Sequence, residues 1–358
     1  MTLKPPDMMA VQRVLIIKMS ALGDIIHALP VAAALGDAYP HLEISWFVEA
    51  PLAPLLTGNP YLKEVITLPK YRGRDLRSMH CLRDVGRHLR AVRHRRFDLT
   101  LDLQGLTKSA TVAYASGAKL KFGYHWLREL ARIVERPIPL RPESIHIVDQ
   151  YLDVARFLGA SVAKPTFPFH IPEEDREVVE GLLYAEGIGS NMPFVALNPA
   201  SARTIKQWGT RRHAELSDAL FTRYGLPSVL VTADMAIANE VVSAAKYPPV
   251  SLAGRTNLKQ LACVLERSTI HVCGDTGSGH LAAALGRPVV SIIGPTDPER
   301  VCPFGQRANA ISRREKCGAT CDWRHCEFDH PRCLDAISVA EVADKVGSLL
   351  PVSVLRGV

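Results

Sequence analysis

Short apolar runs, separated by longer stretches with helical spacing, organise this chain. Residues 11–18 (VQRVLIIK) hold a β-branched apolar run that predicts a buried parallel strand. A turn follows at Ser20-Ala21-Leu22-Gly23-Asp24, and the apolar spacing over 25–35 predicts a helix. Further strands are expected at 43–48 (EISWFV), 65–68 and 99–103 (LTLDL). Strands alternating with helices imply right-handed βαβ units in a mostly parallel sheet.

The alternation lapses between residues 163 and 191, where Pro165, Pro168 and Pro172 mark an expected linker. A second series then begins, with strands expected at 194–198 (FVALN), 228–232 (SVLVT), 270–273 (IHVC) and 289–293 (VVSII). The fold class expected is α/β, with two Rossmann-like, doubly wound domains facing a central cleft. The boundaries read 1–170 for the first domain, 171–190 for the linker, 191–340 for the second domain and 341–358 for a C-terminal helix able to pack back on the first. Ser338 with Glu341 three residues on fits a capping box at the start of that helix. At 358 residues the chain is long enough for two cores, and 47% hydrophobic with 22% charged residues is ordinary globular composition.

Three segments carry candidate chemistry, each directly after a predicted strand. In the first, 18–24 (KMSALGD), Gly23 permits close backbone approach and Asp24 opens the next helix. Its plainer reading is a helix-capping aspartate. In the second, Ser201 precedes Arg203 and Lys206, so small and hydroxyl residues are joined by two cations able to neutralise a diphosphate. A solvated basic loop is the alternative there. The third, 273–281 (CGDTGSGHL), is a glycine-rich turn with Asp275, Thr276, Gly277 and His280, where a helix N-terminus favours an anion.

These segments, in this order, resemble glycosyltransferase family 9, the lipopolysaccharide heptosyltransferases. The matching stretches are KMSALGD, DLQGLTKSA (102–110), the region of Lys206-Gln207-Trp208, 275–298 and the cysteine-bearing tail, so the resemblance spans nearly the whole chain. It implies a GT-B fold, with the acceptor on the first domain and ADP-L-glycero-β-D-manno-heptose on the second. It also implies an inverting, metal-independent transfer of heptose to the lipopolysaccharide inner core, with no cofactor. By the same resemblance Asp24 is the general base and Lys206 holds the donor phosphates. Thr276, Gly277 and a helix start at His280 bind the diphosphate, and Glu240 binds the ribose, with Asp234 a nearby competitor. Ser278-Gly279 stands where the family often has Leu-Ser, and Gln207 where it often has a basic residue; the first departure is expected to loosen the phosphate turn.

Gln104 and Lys108, after the fourth strand, are expected to face the acceptor, with turn stabilisation as the alternative. Residues 70–96 hold ten Lys and Arg against two Asp, a local excess of eight in a chain whose net charge is +7. Arg72, Arg74 and Arg77 are candidate contacts for an anionic glycolipid acceptor, and the whole run suits the inner face of the cytoplasmic membrane, touched peripherally. Part of it should be no more than a solvated helix face. Nucleic acid is a poor match, because only Tyr71 and Phe97 lie near the run to stack bases.

Residues 1–10 lack an apolar signal core and no run of 18 apolar residues occurs, so a cytoplasmic location is expected. There the 8 cysteines should be mostly free thiols. Cys317, Cys321, Cys326 and Cys333 could alternatively make a structural zinc site with His325 and His330, although the spacing is not a paired C-x2-C. Two other function classes compete with the transferase: another nucleotide-sugar enzyme, and a non-catalytic binder of anionic polymers. A dinucleotide-dependent oxidoreductase is disfavoured, since SALGD replaces G-x-G-x-x-G after the first strand.

Overall fold

A computed structural model describes residues 3–69, 79–317, 321, 326, 328 and 331–355. The chain divides into two compact units, Met1–His170 and Ile171–Val358.

In the first unit the strands are β1 (Arg13–Ile17), β2 (Glu43–Glu49), β3 (Glu64–Leu68), β4 (Leu99–Asp102), β5 (Leu120–Gly123) and β6 (Arg136–Pro137). Helices α1 (Leu22–Ala38), α2 (Met79–His94), α3 (Thr107–Ser116), α4 (Ala131–Val134) and α5 (Ile147–Phe157) connect and flank them. The sheet is wholly parallel, in the order β3-β2-β1-β4-β5-β6. Leu15, Ile17, Phe47, Ile66, Val92 and Val112 pack one face of its core. Strands buried on both faces need continuous apolar runs, and VLII in β1 is fully buried for that reason.

The second unit repeats the plan. Its strands are β7 (Val195–Asn198), β8 (Ser228–Leu230), β9 (Val250–Ser251), β10 (Ile270–Gly274), β11 (Val289–Ile293) and β12 (Ala310–Ser312). Its helices are α6 (Glu173–Ala185), α7 (Thr210–Tyr224), α8 (Met235–Ala244), α9 (Leu258–Arg267), α10 (Gly277–Ala284), α11 (Pro298–Val301), α12 (Arg332–Asp335), α13 (Val339–Leu349) and α14 (Val352–Leu355). The order is β12-β11-β10-β7-β8-β9, again wholly parallel. Counted within the unit, this is the same succession as in the first.

In both units the winding reverses between two central strands: β1 and β4 in the first, β7 and β10 in the second. Chain segments leaving the carboxyl ends of such strands diverge to opposite faces, and the crevice between them is where open α/β sheets bind ligands. All three motif segments leave the sheets at these ends.

One sequence expectation is corrected. The 171–190 stretch is mostly helix α6, packed on α9 within the second unit, because Pro172 takes the position before a first turn carrying Glu173, Glu174 and Asp175. Val342, Ala343 and Val346 of α13 join the second unit's core, against α7. Ser338 caps α13 by accepting the Glu341 N–H at 3.2 Å.

Candidate active site

At the first reversal, β1 is followed by Lys18, buried to 2% exposure. Its Nζ donates to the Leu103 carbonyl oxygen at 2.9 Å and to the Tyr151 hydroxyl at 2.7 Å, and lies 3.9 Å from Asp24 Oδ2. Burying a charge is costly unless it is paired and hydrogen-bonded, and these partners meet that condition. Asp24 is the third residue of α1, not its cap; Ala21 holds the cap position. Asp24 Oδ2 accepts the Ala21 N–H at 3.2 Å, and the side chain remains 44% exposed. The carboxylate is therefore oriented by the helix start and by Lys18 while staying accessible to a substrate.

Gln104 makes the turn-stabilising contact, the alternative reading of this residue. Its Oε1 accepts the N–H groups of both Met19 and Ser20 at 3.1 Å, so the amide clasps the β1–α1 turn. Asp102 in turn shapes the Gln104 loop, with Oδ1 accepting the N–H of Gln104 at 2.7 Å and of Gly105 at 2.9 Å. Gly105 has φ of 69°, and a Cβ there would meet the Trp126 carbonyl oxygen at 2.5 Å, so glycine is required. Lys108 Nζ bridges Glu49 Oε1 at 2.9 Å and Ser20 Oγ at 3.2 Å, next to the same turn.

The basic run splits between structural and exposed members. Arg95 pairs with Glu64 and also donates to the Ala91 carbonyl oxygen; this guanidinium holds the Glu64 carboxyl below its usual range. Arg83, Arg87 and Arg90 line one shallow groove on α2. Arg72, Arg74 and Arg77 lie outside the described residues.

At the second reversal, Lys206 Nζ is 2.6 Å from Asp275 Oδ2, which also accepts the Thr296 hydroxyl at 2.9 Å. His280 Nε2 lies 4.0 Å from Asp275 Oδ1, and Ser201 Oγ donates to the Asp275 carbonyl oxygen at 3.4 Å. Lys206, Thr296 and His280 thus converge on the Asp275 carboxylate, while Ser201 meets its backbone carbonyl. Helix α10 begins at Gly277, three residues before the expected start, and its cap residue Thr276 makes no side-chain hydrogen bond to the helix amides. Those amides and the helix dipole favour negative charge near Lys206. Arg203 is exposed on the loop before Lys206. Glu240 is exposed on α8, with no hydrogen bond to this cluster among the described residues; Asp234 instead caps α8 through the Ile237 N–H.

At the Ser278-Gly279 departure the serine is bonded on several sides. Buried Ser278 Oγ receives Asn198 Nδ2 at 2.9 Å and lies 2.9 Å from Thr276 Oγ1 and 3.0 Å from His271 Nε2. His271 Nδ1 faces the Ala196 carbonyl oxygen at 3.0 Å, so this nitrogen carries the proton and Nε2 accepts the Ser278 hydroxyl. Burial pushes the His271 pKa down to about 4, which keeps this tautomer neutral. A Cβ at Gly279 would come 2.6 Å from Cys273 Sγ, so α10 can sit this close to β10 only with glycine there. Gln207, the other departure, donates to the Ser201 carbonyl oxygen at 3.2 Å.

Each reversal thus holds a lysine–carboxylate pair, and the second adds a glycine-rich helix N-terminus. The family "Glycosyltransferase family 9 (heptosyltransferase)" matches residues 85–330. The chain belongs to glycosyltransferase family 9. It is a glycosyltransferase with the GT-B fold. Lipopolysaccharide heptosyltransferase 1 of Salmonella typhimurium is 29% identical over 318 residues, covering 87% of this chain and 97% of that protein. The lipopolysaccharide core heptosyltransferase OpsX of Haemophilus influenzae is 23% identical over 313 residues, covering 84% of each chain. The solved structure of the Escherichia coli ADP-heptose lipopolysaccharide heptosyltransferase II superposes with a TM-score of 0.76 at 22% identity, covering 97% of this chain and 99% of that one.

Within this family-9 enzyme, sequence reasoning missed Lys18 as a buried organiser, and His271 and Ser278 as the brace beneath the phosphate turn. Each carried a signal: a lysine closing an apolar strand, and a histidine inside one. Cys317, Cys321, Cys326 and Cys333 are free thiols, with Cys317 beside both Cys321 and Cys333. Among the described residues no group of three His, Cys, Asp or Glu side chains is arranged to hold a metal ion, and His325 and His330 lie outside them.

Proposed function

We propose that this enzyme transfers the heptose of ADP-L-glycero-β-D-manno-heptose to the lipopolysaccharide inner core, with inversion and without a metal or other cofactor. The observation that carries this reading is the division of labour between the two reversals: an accessible carboxylate at one, a cation beside free helix amides at the other. Asp24 removes the proton from the acceptor hydroxyl as that oxygen bonds to the anomeric carbon. The bond from that carbon to the diphosphate oxygen breaks, and ADP leaves with the electron pair. Lys206, the α10 amides and Thr276 bind the leaving diphosphate and stabilise the charge that grows on it. Asp275 holds Lys206 in place, Ser201 and His280 brace Asp275, Arg203 adds positive charge, and Glu240 meets the ribose.

The acceptor is an anionic glycolipid, Kdo-lipid A or its heptosylated form, handled by Lys108 and the basic stretch around α2. No helix among the described residues is long and apolar enough to cross a membrane. The basic stretch therefore supports peripheral attachment to the inner face of the cytoplasmic membrane through phosphate contacts. Calorimetry with ADP-heptose, ADP, UDP and GDP tests the reading. Preferential adenine-nucleotide binding that is lost in Lys206→Ala is expected. Preference for UDP or GDP would replace the sugar donor, and no nucleotide binding would overturn the transferase reading.

A further inference from the structure

Beneath the Gln104 clasp lie two acidic side chains that nothing above employs as acids. Asp102 has no exposure and Glu135 is 4% exposed. Asp102 faces Gly123 across the β4–β5 register, and a Cβ at Gly123 would stand 2.9 Å from Glu135 Oε2. A bare glycine in β5 thus makes the space in which the Glu135 carboxyl meets Asp102. The two carboxyl groups are near enough to perturb each other. With both ionised, Asp102 Oδ2 and both Glu135 oxygens would be buried without a partner. Two carboxylates in contact out of water cannot both keep their charge.

We propose that Asp102 and Glu135 share one proton, and that the resulting O–H···O⁻ bond is the positioning device for the catalytic turn. The proton resides on Glu135, because Asp102 already accepts two backbone N–H groups that favour its charged form. Glu135 then donates to Asp102 Oδ2. Asp102 fixes the Gln104 loop, Gln104 fixes the amides of Met19 and Ser20, and Ala21 with Asp24 follows directly. Neither acid touches the substrate. Burial, reinforced by the neighbouring Asp102, pushes the Glu135 carboxyl up to about 10. The other groups facing the pair are Ser109 of α3 and Tyr124 after β5, and Tyr124 in turn neighbours Tyr151, Lys18 and Asp24.

This inference rests on the assignment of Asp24 as the base, so its test has one arm that does not use activity. Infrared spectroscopy of the folded protein near pH 8 should show a protonated carboxyl band that vanishes in Glu135→Gln. Absence of that band in the wild type, or its persistence in the variant, overturns the shared proton whatever the enzyme transfers. In the activity arm, Glu135→Gln keeps a donor but cannot ionise, and should retain kcat within about threefold. Glu135→Leu removes the donor and should lose about tenfold or more in kcat with donor affinity unchanged, since small displacements of a catalytic group are costly. The protonated form is the productive one. Wild-type activity should therefore fall as pH rises through about 10, while Glu135→Gln lacks that step. Wild-type kcat in Glu135→Leu, or an equal loss in both variants, would refute the positioning role.

Discussion

The two units solve the same topological problem with opposite chemistry. Each sheet reverses its winding between two central strands and leaves backbone amides at that point. In the first unit the Gln104 oxygen occupies the amides of Met19 and Ser20, and Lys18 is saturated by Leu103, Tyr151 and Asp24. What remains accessible is a carboxylate. In the second unit the helix amides after Thr276 have no side-chain cap, and Lys206 pairs with the Asp275 carboxylate beside them. What remains accessible is positive potential. A doubly wound sheet therefore supplies a place for chemistry, and the residues that fill or vacate its amides decide whether that place repels or attracts an anion.

The sharpest way to break this contrast is at Asp24. Asp24→Ala should lower kcat by about a thousandfold with unchanged ADP affinity, since general-base removal costs on the order of 10²–10⁴. Turnover near wild type would remove the base from the first unit. Next in size is Lys206→Ala, which should weaken ADP binding by about tenfold to a hundredfold and slow transfer as well, by loss of about 1.5–3 kcal/mol of charge-assisted bonding. Calorimetry showing undiminished affinity would mean the helix amides suffice alone.

Ser278→Ala sharpens the comparison from beneath. It strips His271 and Asn198 of a buried partner, at a cost of about 1–3 kcal/mol, read as a lower midpoint in urea. An unchanged midpoint would show that the brace adds nothing to the turn.

A fourth expectation concerns acid. The folded protein holds His213 and His271 near a pKa of 4, against 6.5 in the unfolded chain, by burying both rings. Their neutral forms suit the fold, so their contribution is complete above pH 6.5 and drains away as pH falls toward 4. Thermal melts from pH 7 to 5 should show a falling midpoint, and a flat profile would contradict neutral burial of the two rings. The smallest effect belongs to the surface: Arg87→Ala should change stability by less than about 1 kcal/mol, since its partner Asp84 is an exposed neighbour.

Strand cores, the two-unit plan and the three motif segments were legible because buried parallel strands must be apolar and switch-point turns need glycine and small residues. The edges were not. β6 and β9 have two residues each, too few for any period, and β6 contains Pro137, tolerated only where no ladder bond is required. The linker reading failed because Pro172 introduces a helix as readily as it ends a strand. Gln104 was legible as a polar residue after β4, but not as a clasp, because its partners Met19 and Ser20 lie 85 and 84 residues away.

The sequence by itself determined the alternation, the apolar strands and the residue types at their carboxyl ends, since those follow from local sterics and from burial on both faces of a sheet. Only the tertiary structure decided who bonds to whom: Gln104 on the β1 turn, Asp275 on Lys206, His271 on Ser278, Glu135 on Asp102. Such pairings depend on sheet order and on the desolvation it imposes, and both arise only when distant strands come side by side.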